Sequence, residues 1–263
     1  MTDDVPECRQ GWCGRVGVVT PHFDLIPEFE LAAMAPAGIS IHAARAQFGV
    51  AAGARLVGAA AVRAFAAGPG VDDAVELLAA APLEAIVYGF TSSSYVDGAA
   101  GDATLQQRLE ARAGGVPVVV PCRAAVAALE ALGARRLALI HPPWFPDETD
   151  ALGGDYFRRA GFEVAFHAPA TIAFDELPAG QLGVDPGVVC DWVRARVPAE
   201  VDAVFIGGNG FRATAAVGAL ERALERPVLT ANQVALWQAL ARAGLPMASA
   251  RHGRLFALGA GRT

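Results

Sequence analysis

The 263-residue sequence predicts an α/β fold of two similar, Rossmann-like lobes, each with a parallel sheet, related by a pseudo-twofold axis with the site in the cleft between them. Three observations predict it. Short apolar, β-branched runs bounded by Gly or Pro alternate with Ala/Leu/Arg-rich stretches of helical period, the pattern of βα units on a parallel sheet. The composition is 54% hydrophobic and only 18% charged, ample for a packed core. The chain also echoes itself in order: RVGVVTP (Arg15–Pro21) with RLALIHP (Arg136–Pro142), AIVYGFTS (Ala85–Ser92) with AVFIGGNG (Ala203–Gly210), and PVVVPCRAAVAAL (Pro117–Leu129) with PVLTANQVALWQA (Pro227–Ala239). Three matched pairs in one order mark a duplicated βα unit.

In chain order, residues 1–14 form a polar leader without the apolar centre of a signal peptide. The first lobe spans 15–134. Its strands are expected at Arg15–Thr20, Ile39–Ala44, Ala85–Gly89 and Val116–Val120, with a helix in the Ala/Gly-rich stretch after Ala44 and another at Ala124–Leu132. The second lobe, 135–263, carries strands at Leu137–Ile140, Phe162–His167, Val201–Ile206 and Pro227–Thr230. Its helices are expected at Glu148–Ala160, Pro186–Arg196, Thr214–Leu224 and Val234–Ala243, while the C-terminal helix of the first lobe is free to cross over. Strand C-termini from both lobes would bring six loops together, at Pro21–Asp24, Thr91–Ser94, Cys122–Arg123, His141–Trp144, Gly207–Arg212 and Asn232–Gln233. Ligands of open α/β sheets sit at such ends.

The net charge of −6 and the scattered Arg residues leave no basic patch for nucleic acid. No 18-residue apolar run is present, so no membrane partner is expected, and a cytoplasmic setting fits. Homo-oligomers stay open. Cys8 and Cys13 could be half of a metal site, but no second Cys/His pair with ligand spacing follows, and no metal is assigned. Cys190 reads as a small core residue.

VYGFTSSS (Val87–Ser94), GGNGFRA (Gly207–Ala213), RPVLTANQVALWQALARAG (Arg226–Gly244) and GRLF (Gly253–Phe256) resemble the aspartate/glutamate racemase superfamily, in its maleate isomerase and arylmalonate decarboxylase branch. The resemblance covers most of Arg15 to Phe256 and implies enzymes without a cofactor that isomerise, racemise or decarboxylate small carboxylates. It also implies one nucleophilic cysteine per lobe in the isomerases and racemases, at the positions of Phe90 and about Gly208 here, and only the second in the decarboxylases. Both are absent from this sequence, so chemistry by two opposed thiols is not expected.

Thr91, Ser92 and Ser93 offer hydroxyls and N–H groups after a strand, suited to a carboxylate or enolate oxygen; the plain alternative is a helix cap. Gly208, Asn209 and Gly210 let the backbone approach a ligand, or simply make a tight turn. Asp24 stands where the resemblance puts a substrate-contacting Asn, which suggests a base or a protonated carboxyl. His141 and His22 lie at near-equivalent points of the two lobes and could handle a proton, though a His among prolines is more often a packing residue. Trp144 falls near the branch's carboxylate-binding Tyr, and is equally an aromatic core or lid residue. Cys122 opens a helix beside Arg123, where a lowered thiol pKa is conceivable.

The expected function is therefore a cofactor-independent enzyme that stabilises an enolate-like intermediate of a small carboxylic acid and moves a proton with Asp24 or a histidine. A decarboxylase or other lyase stands ahead of a cis–trans isomerase, because it needs one proton relay. The rival is a non-catalytic carboxylate-binding protein that has lost its nucleophiles.

Overall fold

The computed structural model describes residues 13–49, 58–173, 180–247 and 249–259, so all but the last two residues of the leader, Cys8 among them, lie outside it. The first half runs β1 (Gly14–Pro21), α1 (Ile26–Met34), β2 (Ile39–Ala46), α2 (Ala59–Ala67), α3 (Pro69–Ala79), β3 (Ala85–Tyr88), α4 (Ser92–Arg112), β4 (Val118–Val119) and α5 (Pro121–Ala131). The second runs β5 (Arg136–His141), α6 (Asp147–Arg159), β6 (Glu163–Pro169), α7 (Pro186–Arg196), β7 (Ala203–Ile206), α8 (Val217–Leu224), β8 (Val228–Thr230), α9 (Ala231–Arg242) and α10 (Arg254–Ala257).

Two four-stranded parallel sheets result, ordered β2-β1-β3-β4 and β6-β5-β7-β8. The second order repeats the first with every strand number raised by four. The three echoed segments are accordingly β1 with β5, β3 with β7 and β4 with β8. The central strands are covered on both faces, which explains why AIVY and AVFI read as unbroken apolar runs instead of alternating ones.

Local chemistry sets the element ends. In α7, Asp185 accepts a hydrogen bond from the Gly187 amide at 2.8 Å and Pro186 takes the first turn, so the helix starts where the sequence places it. A reciprocal pair between Thr230 and Gln233 starts α9 three residues before the expected Val234. Two further departures involve side chains that partner backbone groups. β4 is only two residues long, and the outward N–H and carbonyl of Val118 on this edge strand are taken by Glu110 (3.1 Å) and Arg242 (2.7 Å). The expected helix Thr214–Leu224 begins as a 3₁₀ turn, because the amides of Ala213 and Thr214 are drawn to Glu30.

The main core does not respect the boundary between halves. Val16, Val18 and Val87 of the first sheet belong to one apolar cluster with Leu137–Ile140 and Val204–Ile206 of the second. Helices α5 and α9 pack against each other, and α9 also covers β3 and β4 of the first sheet. A second cluster, centred on Phe48, Phe65, Tyr88 and Leu109, lies wholly within the first half. Among the described residues, no helix is long and apolar enough to cross a membrane.

Candidate active site

Strands β1 and β3 end opposite β5 and β7, and the turns that follow line one small cavity of about 40 Å³. Its lining comprises Pro21, Phe23 and Asp24 after β1, Phe48 after β2, and Phe90, Thr91 and Ser92 after β3. Trp144 and Phe145 after β5 and Gly208–Gly210 after β7 complete it. Eight of the eleven residues singled out in the sequence therefore meet here: Asp24, Phe90, Thr91, Ser92, Trp144, Gly208, Asn209 and Gly210.

Three do not reach the lining. Ser93 turns its hydroxyl back to the Phe90 carbonyl (3.0 Å). The ring of His22 accepts the Phe48 amide at 3.1 Å and rests edge-on against Phe23, so it braces the wall from behind. His141 is fully buried one layer deeper, stacked on Phe145, with Nδ1 2.6 Å from Asp150, which also holds His167 Nδ1 at 2.6 Å. Burial pulls the His141 pKa below its ordinary value, although Asp150 opposes this. The residues after β5 that line the cavity are Trp144 and Phe145, three and four positions beyond His141. The expectation for Cys122 also changes: its side chain is completely buried, and desolvation with nearby Asp102 pushes the thiol pKa well up, not down.

Asp24 is the one titratable side chain in the lining. A tight turn (Asp24 N–H to Pro21 carbonyl, 2.9 Å) places it, and Oδ1 accepts from the Ile26 amide at 3.1 Å. It is 5% exposed. Burial lifts its pKa from 3.8 to about 7, with the Ile26 hydrogen bond opposing and Glu30 adding to the rise. No Lys, Arg or His is among the lining residues, and none of them is a cysteine. Five aromatic rings are: Phe23, Phe48, Phe90, Trp144 and Phe145, with Phe48 and Phe90 packed edge-to-face at 5.4 Å.

Facing these rings is a polar floor. Ser92 and Ser93 are the first residues of α4, whose opening N–H groups lie outside the helical ladder. Gly208 has φ +85°, and a Cβ there would run into Pro142, so only glycine fits this close approach. Beneath the floor runs a chain that composition did not reveal. Thr91 Oγ1 donates to Asn209 Oδ1 (2.5 Å), Asn209 Nδ2 to Asn232 Oδ1 (2.8 Å), and Asn232 Nδ2 to Glu30 Oε2 (2.8 Å) and to the Asn209 carbonyl (2.9 Å). Glu30 also accepts from the amides of Ala213 and Thr214 and from the Thr214 hydroxyl. The sequence does hold a signal for Glu30: it sits at four-residue spacing between Ile26 and Met34 on the buried face of α1.

The arrangement therefore sets backbone N–H donors opposite aromatic rings, beside one carboxyl whose pKa burial raises to about 7. Among the described residues, no cluster of three or more His, Cys, Asp or Glu could hold a metal ion.

Comparison with known proteins agrees with this layout. A family model described as arylmalonate decarboxylase matches residues 67–256. No curated protein sequence matches the chain. Among solved structures, the maleate isomerase Iso from Pseudomonas putida S16 superposes with a TM-score of 0.80 at 20% identity over 92% of this chain and 98% of that one. A Cys-to-Ala variant of Iso with bound maleate gives the same score and identity over 94% and 98%. An arylmalonate decarboxylase gives 0.72 at 22% identity over 92% and 99%. A Nocardia farcinica maleate cis–trans isomerase variant carrying a covalently bound succinylcysteine intermediate gives 0.80 at 24% identity over 92% and 98%.

Proposed function

The chain belongs to the arylmalonate decarboxylase family and is an isomerase or lyase acting on a small carboxylic acid; from that premise we propose that it is a cofactor-independent decarboxylase of an aryl-bearing malonate-type acid, with Asp24 in place of a thiol as proton donor. One observation carries this reading. The cavity joins a buried, proton-holding carboxyl to a wall of five aromatic rings, with no cationic side chain in its lining.

The chemistry follows from that pairing. A carboxylate pressed among rings without a cation loses its hydration, and breaking its C–C bond to release neutral CO₂ moves the negative charge away from the rings. The bonding electrons move onto the remaining carboxyl group as an enolate-like species. In this reading the Ser92 N–H, with the backbone of Gly208 and Asn209, stabilises it. Protonation at the α-carbon from Asp24 completes the product, and Asp24 recovers its proton from water. A maleate-type substrate fits less well, because two separated carboxylates would need two anion sites in a lining with a single acid and five rings. At about 40 Å³ the cavity is below ligand size, so entry requires the aromatic side chains to rotate outward.

Phenylmalonate, maleate and an aliphatic malonate, followed by product NMR and CO₂ release, form the test. Phenylacetate from phenylmalonate is expected, with Asp24→Asn lowering the rate about 10²–10⁴-fold. Activity should also survive thiol alkylation, since Cys122 is buried and outside the lining. Turnover of maleate alone, or loss of activity on alkylation with Asp24→Asn fully active, would overturn the proposal.

A further inference from the structure

The chain Thr91–Asn209–Asn232–Glu30 has a direction, and its fixed end is Glu30. All four residues are at most 3% exposed, so each hydrogen-bonding group must find a partner within the protein. Every donor that Glu30 receives comes from the second half of the chain: the Ala213 and Thr214 amides at 3.0 and 2.9 Å, the Thr214 hydroxyl at 2.6 Å and Asn232 Nδ2 at 2.8 Å. Burial raises the Glu30 pKa and these four donors oppose the rise; with both oxygens taken by donors, Glu30 acts as a carboxylate, which can only accept.

Asn232 must therefore turn its NH₂ toward Glu30. The reverse orientation would put its oxygen against both the carboxylate and the Asn209 carbonyl, which Nδ2 now serves at 2.9 Å. With Asn232 fixed, Asn209 must offer Nδ2 to the Asn232 oxygen, or two oxygens would face each other across 2.8 Å. Asn209 Oδ1 is thereby turned to Thr91, whose hydroxyl hydrogen is committed to it. The Thr91 oxygen then presents only lone pairs to the cavity that it lines.

We infer that Glu30 is a positioning residue which, through Asn232 and Asn209, makes Thr91 a hydrogen-bond acceptor toward the ligand, so that the site selects acids bringing a donor (an un-ionised carboxyl O–H or an amide N–H) to that point. This changes the role given to Thr91 by its hydroxyl alone. The anion donors are the backbone N–H groups of the loop, and Thr91 recognises the protonated partner group. A half-ionised malonate carries both: one carboxylate to lose and one carboxyl to anchor. The inference deepens the decarboxylase reading and its ligand arm rests on that reading; its spectroscopic arm does not.

For the ligand arm, phenylmalonic acid monoamide is compared with its monomethyl ester. Both keep one carboxylate, but only the amide retains a donor. Wild-type protein should favour the monoamide in kcat/KM by about tenfold or more, because a site built to receive a donor rejects an analogue without one. Thr91→Val and Glu30→Gln should each shrink that preference to about twofold or less, whereas general damage to the fold lowers both compounds alike and leaves the ratio unchanged. Equal use of the two compounds by wild-type protein overturns the inference, as does an unchanged preference in Thr91→Val. In the spectroscopic arm, side-chain amide NMR signals of Asn209 should shift in Glu30→Gln although the two residues do not touch. Asn232→Ala, which cuts the same chain, should shift them too. Asn209 signals that stay in place in these variants overturn the relay. Failure of all aryl acids to bind, with Asn209 still responding, rejects the decarboxylase reading and keeps the relay.

Discussion

Asp24 gives the sharpest residue-scale expectation, because its carboxyl ionises near neutrality while the unfolded chain ionises near 3.8. Between those values the folded protein holds a proton that the unfolded chain has released. Stability contributed by Asp24 is thus present at acid pH and is lost as pH rises toward and through about 7. Asp24→Asn removes the penalty, so thermal denaturation at pH 8 should show the variant more stable than wild type by on the order of 1–3 kcal/mol, with the gap closing below pH 4. Activity should move the same way: kcat/KM for phenylmalonate falls above about pH 7 in wild type as the donor ionises. A pH profile flat from 6 to 9 would exclude Asp24 as the donor. The two positions where the branch resemblance places cysteines behave differently. Gly208→Cys needs a side chain at φ +85° against Pro142, and should cost about 1–3 kcal/mol without yielding a usable thiol. Phe90→Cys meets no such barrier, but leaves a gap among Phe48, Phe65 and Tyr88, for about 1–3 kcal/mol by chemical denaturation. The loop residues of this site were legible in the sequence because glycines and hydroxyls after a strand have a recognisable local chemistry. Phe48 was not, and for Glu30 the spacing on α1 signals burial but not the role, since both residues acquire their roles only from what folds against them. His141 misled for the same reason, for imidazole chemistry is local while the direction in which a ring points is not.

Among the elements, the central strands were readable because burial on both faces writes apolar runs into the sequence, while the edge strands β2 and β6 are only partly buried. The first-half helices were harder to read. In α4 the run SSSYVDGAAGDATLQQRLEAR lacks a strong apolar stripe, and Gly98 breaks it with φ +68° and ψ −175°. That conformation is essentially confined to glycine. The break lets the opening turns, Ser92–Asp97, whose first residue lines the cavity, tilt separately from the long arm that follows. Nothing lies near a Cβ placed at Gly98, so Gly98→Ala tests the backbone alone. It should cost about 1–3 kcal/mol in stability. If the separate tilt of that turn serves binding, it should also weaken phenylacetate affinity, measured by calorimetry, more than an exposed control such as Ala99→Ser does. Equal affinity in both variants would show that the tilt is structural only.

At the scale of the whole molecule, the repeat was visible as three ordered echoes, yet its two copies are not independent bodies. One apolar cluster joins strands of both sheets, α9 from the second half covers β3 and β4 of the first, and the Glu30 carboxylate on α1 draws all of its donors from residues beyond 212. Such interlocking lies in pairings between residues about 200 positions apart, which periodicity within a short window cannot express. It also predicts how the chain responds to division at the sequence boundary between residues 134 and 135. A first half expressed alone would expose the β3 and β4 face that α9 covers and leave Glu30 buried or solvated without its four donors. The loss of either exceeds the few kcal/mol by which domains of this size are stable. Residues 1–134 alone should therefore lack cooperative thermal unfolding and bind hydrophobic dyes, whereas co-expression with residues 135–263 should restore both a folded complex and phenylmalonate turnover. A first half that unfolds cooperatively by itself, with native-like helical circular dichroism, would show that the two lobes are separable after all.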